Sequence, residues 1–477
     1  MNWVPNPEEG SNVQGRNVFW VYGSPGIGKT SLAHSICASL QDREQLAGVF
    51  FCRRDDANLS EPRNILPTLI YKLARTFPAF RGIVAEHLRK DPNLTPQSMK
   101  DTLFGDFIRD LHRHPKQHTL VFVIDAFDEC GNSQTRQDVL KVLIDAVALV
   151  SWLKIIITSR PEADIIRCFS DTPEKYDLGT DEKTKDDLQA FARSQFKVVA
   201  SEWRLPPTWP EEPLFNRVIS QANGLFIFIH TLVLALRQCV DPEEALKETL
   251  DGSAGAGLDS LYGLYTSILK VQMTRSNIAE FWRVVAVITT GQFRPLREDL
   301  IAVLAGVKQN LVEKWVDDLS SLLDREGTNG GIRARHLSIS EYFVSDRCDY
   351  KGKLQEAHEQ LGIVCLETMI GQLHFNICKL GDSRLANADI KDLQFRIEEN
   401  ISGPLQYSSL YWSTHLCNTP NDGRHKLGFE RLKEFFEGLC PLFWIEVLSI
   451  MKMVPVGAPS LRRVISWVKV STTLSRQ

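Results

Sequence analysis

Residues 23–30 read Gly-Ser-Pro-Gly-Ile-Gly-Lys-Thr, and no other stretch of this chain restricts its fold so sharply. Glycines at 23, 26 and 28 let successive backbone N–H groups turn to one side and surround an anion. Lys29 then places a cation on terminal phosphate oxygens, and Thr30 offers a hydroxyl to Mg2+. Gly23, Ser24, Pro25, Gly26, Ile27, Gly28 and Ser31 supply the rest of the cradle. An apolar run at 18–22 precedes the loop and a helical segment at 30–40 follows it, so the helix dipole points its positive end at the phosphates. That strand–loop–helix context separates a phosphate loop from a glycine-rich turn without a ligand. The expectation is a bound nucleotide, ATP or GTP with Mg2+, and its diphosphate in a resting state.

Further apolar runs lie at 47–52, 120–124 and 153–158, separated by segments of helical spacing at 65–74, 99–112 and 139–150. Strands alternating with helices predict an α/β fold with a parallel sheet covered on both faces. The run Leu120-Val-Phe-Val-Ile-Asp-Ala-Phe-Asp-Glu129 delivers Asp125 from the carboxyl end of a buried strand, beside the phosphate loop, where it would hold Mg2+. Asp128 and Glu129 follow in a turn. Either would orient or deprotonate an attacking water, or both would cap the next helix. The run Ile155-Ile-Ile-Thr-Ser-Arg160 ends on a cation that would sense a γ-phosphate or would be an ordinary arginine before Pro161.

After residue 167 the pattern turns helical. Residues 181–200 form a helix with an acidic first turn, 203–213 a proline-rich loop, and 214–239 a helix interrupted at Asn223-Gly224. The sequence Thr184-Lys-Asp-Asp187 matches a guanine-reading T-K-x-D, but it opens a helix after an acidic run, so a helix N-terminus accounts for it better. Residues 251–257 carry three glycines and read as a linker. Helical segments at 265–271, 278–289, 297–304 and 311–323, then a glycine turn at 327–331 between strands 322–325 and 332–337, predict a winged helix. Residues 351–477 are amphipathic and mostly helical.

Composition narrows the classes of function. The 477 residues are 43% hydrophobic and 24% charged, with 55 Lys+Arg against 59 Asp+Glu and a net charge of −4. That balance gives no basic footprint for nucleic acid and no polybasic address for a membrane. The longest strongly apolar run, 225–236, is shorter than a membrane span and contains His230. Residues 1–17 are polar, with no secretory h-region. Ten cysteines without C-x-x-C spacing predict reduced thiols in the cytoplasm. His112, His114 and His118 cluster before a strand and read as a solvated loop rather than a zinc site.

Together, the 23–30 loop, the D-[GA]-x-D-E pattern at 125–129 and Thr158-Ser-Arg160 resemble the NACHT subclass of STAND NTPases. The chain is most similar to fungal members, whose NTPase region resembles the nephrocystin-type N-terminal domain. Asn223-Gly-Leu-Phe-Ile227 matches the family's stretch in its helical domain, without the proline many relatives carry there. His336-Leu-Ser-Ile-Ser-Glu-Tyr-Phe343 resembles the family's winged-helix segment. The resemblance implies that His336 contacts the β-phosphate of bound diphosphate; a buried structural histidine is the plainer reading. The likeness covers roughly residues 17–346. It implies a polar leader at 1–16, a NACHT P-loop NTPase domain at 17–167, a helical domain and linker at 168–257, a winged-helix domain at 258–346 and a helical C-terminal region at 347–477. Neither the effector domain nor the C-terminal repeats common in the family are evident, so the expectation is a truncated gene product or a partnership with an effector-bearing chain.

The function so implied is a molecular switch with slow NTP hydrolysis, closed with diphosphate and open with triphosphate, which homo-oligomerises on activation in fungal defence or non-self recognition. Nucleic acid and membrane are not expected as partners. A scaffold that binds nucleotide without hydrolysing it is the alternative. A P-loop kinase fits the long helical tail poorly. DNA binding is opposed by Glu313, Asp317 and Asp318 on the segment that would enter a groove, against one Lys314.

Overall fold

Five parallel strands form the sheet at the centre of the first unit. They are β1 (Val18–Tyr22), β2 (Leu46–Phe51), β3 (Leu120–Asp125), β4 (Leu153–Ser159) and β5 (Lys175–Asp177), ordered β2-β3-β4-β1-β5. The computed structural model describes residues 17–54, 56, 58–76, 78–90, 119–150, 152–169, 174–252, 255–271, 277–291, 294–326, 330–382, 385–419 and 426–474. The expected polar leader at 1–16, the helix at 99–112, the histidines at 112, 114 and 118, and parts of the linker and the wing turn lie outside them. The chain divides into two compact units, residues 1–233 with 255–258, and residues 234–254 with 259–477.

Each interior strand is apolar on both faces because helices cover both. Phe122 and Ile124 of β3, with Ile155 and Ile157 of β4, pack against α2 (Ile65–Thr76) and α4 (Ser133–Leu149), which follows α3 (Pro78–Lys90). Val121, Val123 and Ile156 point the other way, onto Ala33, Ile36 and Leu40 of α1 (Lys29–Asp42). Every residue of β3 is buried. Each such Val, Ile or Phe contributes about 1.5–3 kcal/mol relative to exposure, which fixes both the strand's place and its register.

The apolar runs predict a parallel sheet without its strand order; in the structure β4 lies between β1 and β3, pairing Val21 with Thr158 on one side and Ile124 with Ile157 on the other. Apolar runs alone do not reveal strand order, and β4 and β3 have equally buried faces. Past residue 167 the sheet adds β5, paired with β1 at Trp20, Val21 and Tyr22. Then α5 (Ala163–Cys168), which precedes β5, and α6 (Glu182–Trp203), α7 (Glu212–Ala222) and α8 (Phe226–Leu236) complete the helical complement. Asp181 caps α6 through Lys183 N–H at 3.3 Å, so the 184–187 stretch is a helix start.

The second unit contains α9 (Pro242–Gly252), α10 (Leu258–Lys270), α11 (Ile278–Thr290), α12 (Glu298–Ala305) and α13 (Gln309–Asp318). An antiparallel hairpin follows, β6 (Leu323–Glu326) with β7 (Gly331–Ala334), and Ile332 forms a further bridge to Leu296. The first strand lies one residue later than the 322–325 expected, and the second ends at Ala334, three residues short of the 332–337 expected. Beyond α14 (Leu337–Val344), α15 (Lys351–Gln372), α16 (Leu393–Asn400), α17 (Gly403–Cys417), α18 (Lys426–Glu437), α19 (Cys440–Ile450) and α20 (Gly457–Leu474) make up the helical C-terminal region. A Cβ at Gly362 would stand 2.9 Å from Leu416, so glycine there lets α15 and α17 meet closely. Among the described residues no helix is long and apolar enough to cross a membrane.

A histidine pair is locked into that helical region. His358 Nδ1 faces His415 Nδ1 at 2.8 Å, and Tyr407 bonds His415 Nε2 at 2.7 Å. One facing Nδ1 donates and the other accepts, so a second proton would set N–H against N–H. Burial lowers His358 to about 4 and His415 well below its ordinary value. The unfolded chain therefore takes up protons first as pH falls. Stability from His358 is complete above about 6.5 and is lost as pH drops towards 4, to a total of roughly 3 kcal/mol. A urea midpoint for the second unit that falls between pH 7.5 and 5, and falls less in His358→Gln, is the expected result; equal slopes in both proteins would reject it.

Candidate functional site

The carboxyl ends of β1, β4 and β3 converge on one edge of the sheet, and three polar segments leave them there. From β1 the chain enters the 23–30 loop, where Gly26 and Gly28 have φ +77° and +98°. Side chains other than glycine rarely adopt these values, which explains two of the motif's fixed positions. Gly28 is the N-cap of α1, a 14-residue helix. Lys29 Nζ turns back along the loop and donates to the carbonyls of Gly23 at 2.8 Å and Ser24 at 2.9 Å. Burial lowers Lys29 to about 8, with Arg160 adding to the shift while Asp128, Asp125 and Glu129 oppose it.

Asp125 ends β3 and is 2% exposed. Thr158 Oγ1 donates to its carboxylate and in turn accepts Ala126 N–H at 3.1 Å. Thr30 also bonds Asp125, yet burial outweighs both hydroxyls and Lys29, and the carboxyl lies above its ordinary value. A buried carboxylate held against the loop's own threonine is the donor set a hard divalent cation requires. The residues therefore fit a nucleotide with Mg2+: loop amides and Lys29 for phosphates, Thr30 and Asp125 for the metal. Among the described residues no group of three His, Cys, Asp or Glu is placed to hold a metal ion by itself.

Ala126 occupies the left-handed region at φ +52°, which gives a physical reason for a small residue after the acid. The chain then makes a single turn, Phe127–Glu129, that separates the two following acids. Both carboxylate oxygens of Asp128 are taken by Arg160, one by its N–H at 2.9 Å and one by its Nε at 3.2 Å. Glu129 instead accepts a long bond, 3.3 Å, from Arg54 N–H, and burial raises its carboxyl. Neither acid caps the next helix. Asn132 does so, with Thr135 closing a capping box. Thus the structure brings Lys29, Thr30, Asp125, Asp128, Glu129 and Arg160 together, and it ties Arg160 to Asp128.

The 223–227 stretch, singled out in the sequence by its Asn-Gly-Leu-Phe-Ile pattern, docks on the phosphate loop. Ile227 N–H donates to Gly26 C=O at 3.2 Å, and the Phe226 ring lies 3.7 Å from where a Gly28 Cβ would stand. Asn223 and Gly224, both at positive φ, make the bend that brings α8 there. His336, in the second unit, caps α14: its Nδ1 accepts Ser338 N–H at 3.1 Å.

Residues 2–160, about a third of the chain, match the family model of the nephrocystin 3 N-terminal region. No curated protein matches the sequence. Among solved structures the chain is similar to the Walker-type ATPase of Pyrococcus abyssi, at 15% identity over 69% of this chain and 91% of that one, TM-score 0.33. It is also similar to Cdc6p from Pyrobaculum aerophilum, at 13% identity over 72% and 89%, TM-score 0.32. A third is the Orc1 protein of Aeropyrum pernix, solved in complex with DNA, at 12% over 73% and 87%, TM-score 0.26. The segment matched by the nephrocystin 3 N-terminal family model carries the whole site, from the 23–30 loop to Arg160.

Proposed function

We propose that this chain is a nucleotide-operated switch of the NACHT class of STAND NTPases, closed with diphosphate and opened by exchange for triphosphate. Slow hydrolysis resets it, and the setting is cytoplasmic signalling in fungal defence or non-self recognition, through homo-oligomers and an effector-bearing chain. The observation that carries this reading is the docking of residues 223–227 on the phosphate loop. A helix start hydrogen-bonded to Gly26 and stacked on Gly28 cannot stay indifferent to what the loop holds. A compact phosphotransferase has no need of such a contact.

Lys29, with the amides of Gly23 to Ser31, binds the phosphates, and Thr30 with Asp125 holds the metal. Mg2+ supplies charge neutralisation across the terminal phosphates. Glu129 is the residue for orienting water, since Asp128 is engaged by Arg160. Arg160 senses the γ-phosphate by exchanging Asp128 for it. In this reading residues 258–346 are the winged-helix domain, and His336 takes the family's diphosphate-contacting role. The charges of α13 argue against DNA as a partner: with Val312, Trp315 and Val316 inward, its polar positions carry Glu313, Asp317 and Asp318 against Lys314.

Denaturing the purified chain and separating what it releases by chromatography tests the reading. The expected result is a stoichiometric nucleoside diphosphate, whose base names the cofactor as ADP or GDP. A chain that releases nothing and binds neither ATP nor GTP with Mg2+ overturns it.

A further inference from the structure

Arg136 belongs to no motif, yet it holds the turn that carries Asp128 and Glu129. It projects from the first turns of α4 with a side chain 13% exposed. One arm of its guanidinium reaches three carbonyls in and just after the turn, Asp128 at 3.1 Å and Cys130 and Gly131 at 3.4 Å. Its Nε and other arm both meet Asp164 Oδ2 at 2.9 Å. Burial opposes ionisation of Asp164, but the bonds from Arg136 prevail and hold its carboxyl below its ordinary value. Asp164 lies four residues after Arg160. Two ion pairs thus tie the 126–131 turn to the 160–164 segment, Asp128 with Arg160 and Arg136 with Asp164.

The two ties differ in one respect. Arg160 follows β4 directly, on the edge that carries the 23–30 loop, whereas Arg136 meets the 126–131 segment through main-chain oxygens alone. We infer that Arg136, fixed by Asp164, is the positioning residue for Glu129: it keeps the turn in place when Arg160 leaves Asp128. This rests on the reading of the 23–30 loop as a triphosphate site. A planar guanidinium can serve three carbonyls and a carboxylate at once, and a lysine ammonium cannot. Arg136→Lys therefore keeps the charge opposite Asp164 and loses the geometry.

The test uses the full chain as wild type, Arg136→Lys, Arg136→Met and Asp164→Asn. Steady-state hydrolysis of ATP and GTP with Mg2+ is measured beside equilibrium affinity for the diphosphate, the thermal midpoint, and amide exchange of the peptide 126–132 without nucleotide. We expect kcat of Arg136→Lys to fall roughly 10- to 100-fold, as a misplaced catalytic group implies. KM and diphosphate affinity stay within about twofold, and exchange of the Glu129, Cys130 and Gly131 amides rises. Asp164→Asn follows in the same direction with a smaller loss. Arg136→Lys with wild-type turnover and wild-type exchange overturns the inference. So does loss of kcat in step with diphosphate affinity or thermal midpoint, which would mark a general structural role. A wild type that binds diphosphate and never hydrolyses triphosphate overturns this inference alone; a wild type that binds no nucleotide overturns the underlying reading. If Arg136→Met fails to fold, Arg136→Lys and Asp164→Asn carry the decision.

Discussion

Lys29→Ala should lower affinity for nucleoside diphosphate and triphosphate by at least about 100-fold, with the protein still folded. Two terms add. The ammonium makes charge-assisted bonds, each worth about 1.5–3 kcal/mol where a charged partner is lost, and every 1.4 kcal/mol is tenfold in affinity. Lys29 also donates to the carbonyls of Gly23 and Ser24, so alanine removes the cross-link that shapes the loop before ligand arrives. With its value lowered to about 8 by burial, the side chain is still largely charged at neutral pH. Calorimetric titration of ADP and GDP, with a thermal midpoint taken without nucleotide, measures the effect. Affinity within tenfold of wild type would remove Lys29 from the site.

Gly131→Ala is expected to damage the first unit as severely as any single substitution on this edge of the sheet. Gly131 has φ +58°, and a Cβ there would stand 2.3 Å from Pro62 Cγ and 2.5 Å from Thr135 Oγ1. Neither neighbour yields: Pro62 opens a short 3-10 turn, and Thr135 is half of the capping box of α4. The left-handed backbone costs about 1–2 kcal/mol and the overlap another 1–3 kcal/mol. For a unit of this size that lowers the melting midpoint by roughly 5–15 °C. Gly306→Ala is the control, because Gly306 has φ +64° and open space around its Cβ position. Should Gly131→Ala shift its unit no more than Gly306→Ala shifts its own, the steric argument fails.

The legible parts of the site were those whose chemistry fixes residue type. A phosphate cradle needs glycine at particular φ values, so Gly26, Gly28, Lys29 and Thr30 could be read directly, and buried strands of Val and Ile announce a parallel sheet. Other features depend on partners far apart in sequence. Arg136 and Asp164 look like any charged residues on amphipathic helices. His358 and His415 meet across α15 and α17, fifty-seven positions apart. Strand β5 is a three-residue Lys-Tyr-Asp with no apolar run, held in the sheet by pairing with β1 rather than by burial. The order of β3 and β4 was hidden for a related reason: strands buried on both faces carry the same pattern wherever they lie. The bend at 223–224 was visible as Asn-Gly, but its target was not, because Phe226 and Ile227 resemble any helix start.

The order of the sheet also bears on how the chain is made. Among the described residues, the phosphate-loop strand, Val18–Tyr22, pairs in the sheet with β4 and β5 alone. A ribosome must therefore add about 140 residues after Tyr22 before β4 exists to receive it. At about 5–20 residues per second this takes roughly 7–28 s. Throughout that interval a Val-Phe-Trp-Val-Tyr segment has finished its own synthesis with nothing to pair with, the circumstance in which strands capture one another between chains. The phosphate loop is thus synthesised well before β4 and its site is assembled late, and nascent chains held before residue 153 should be the species that chaperones bind.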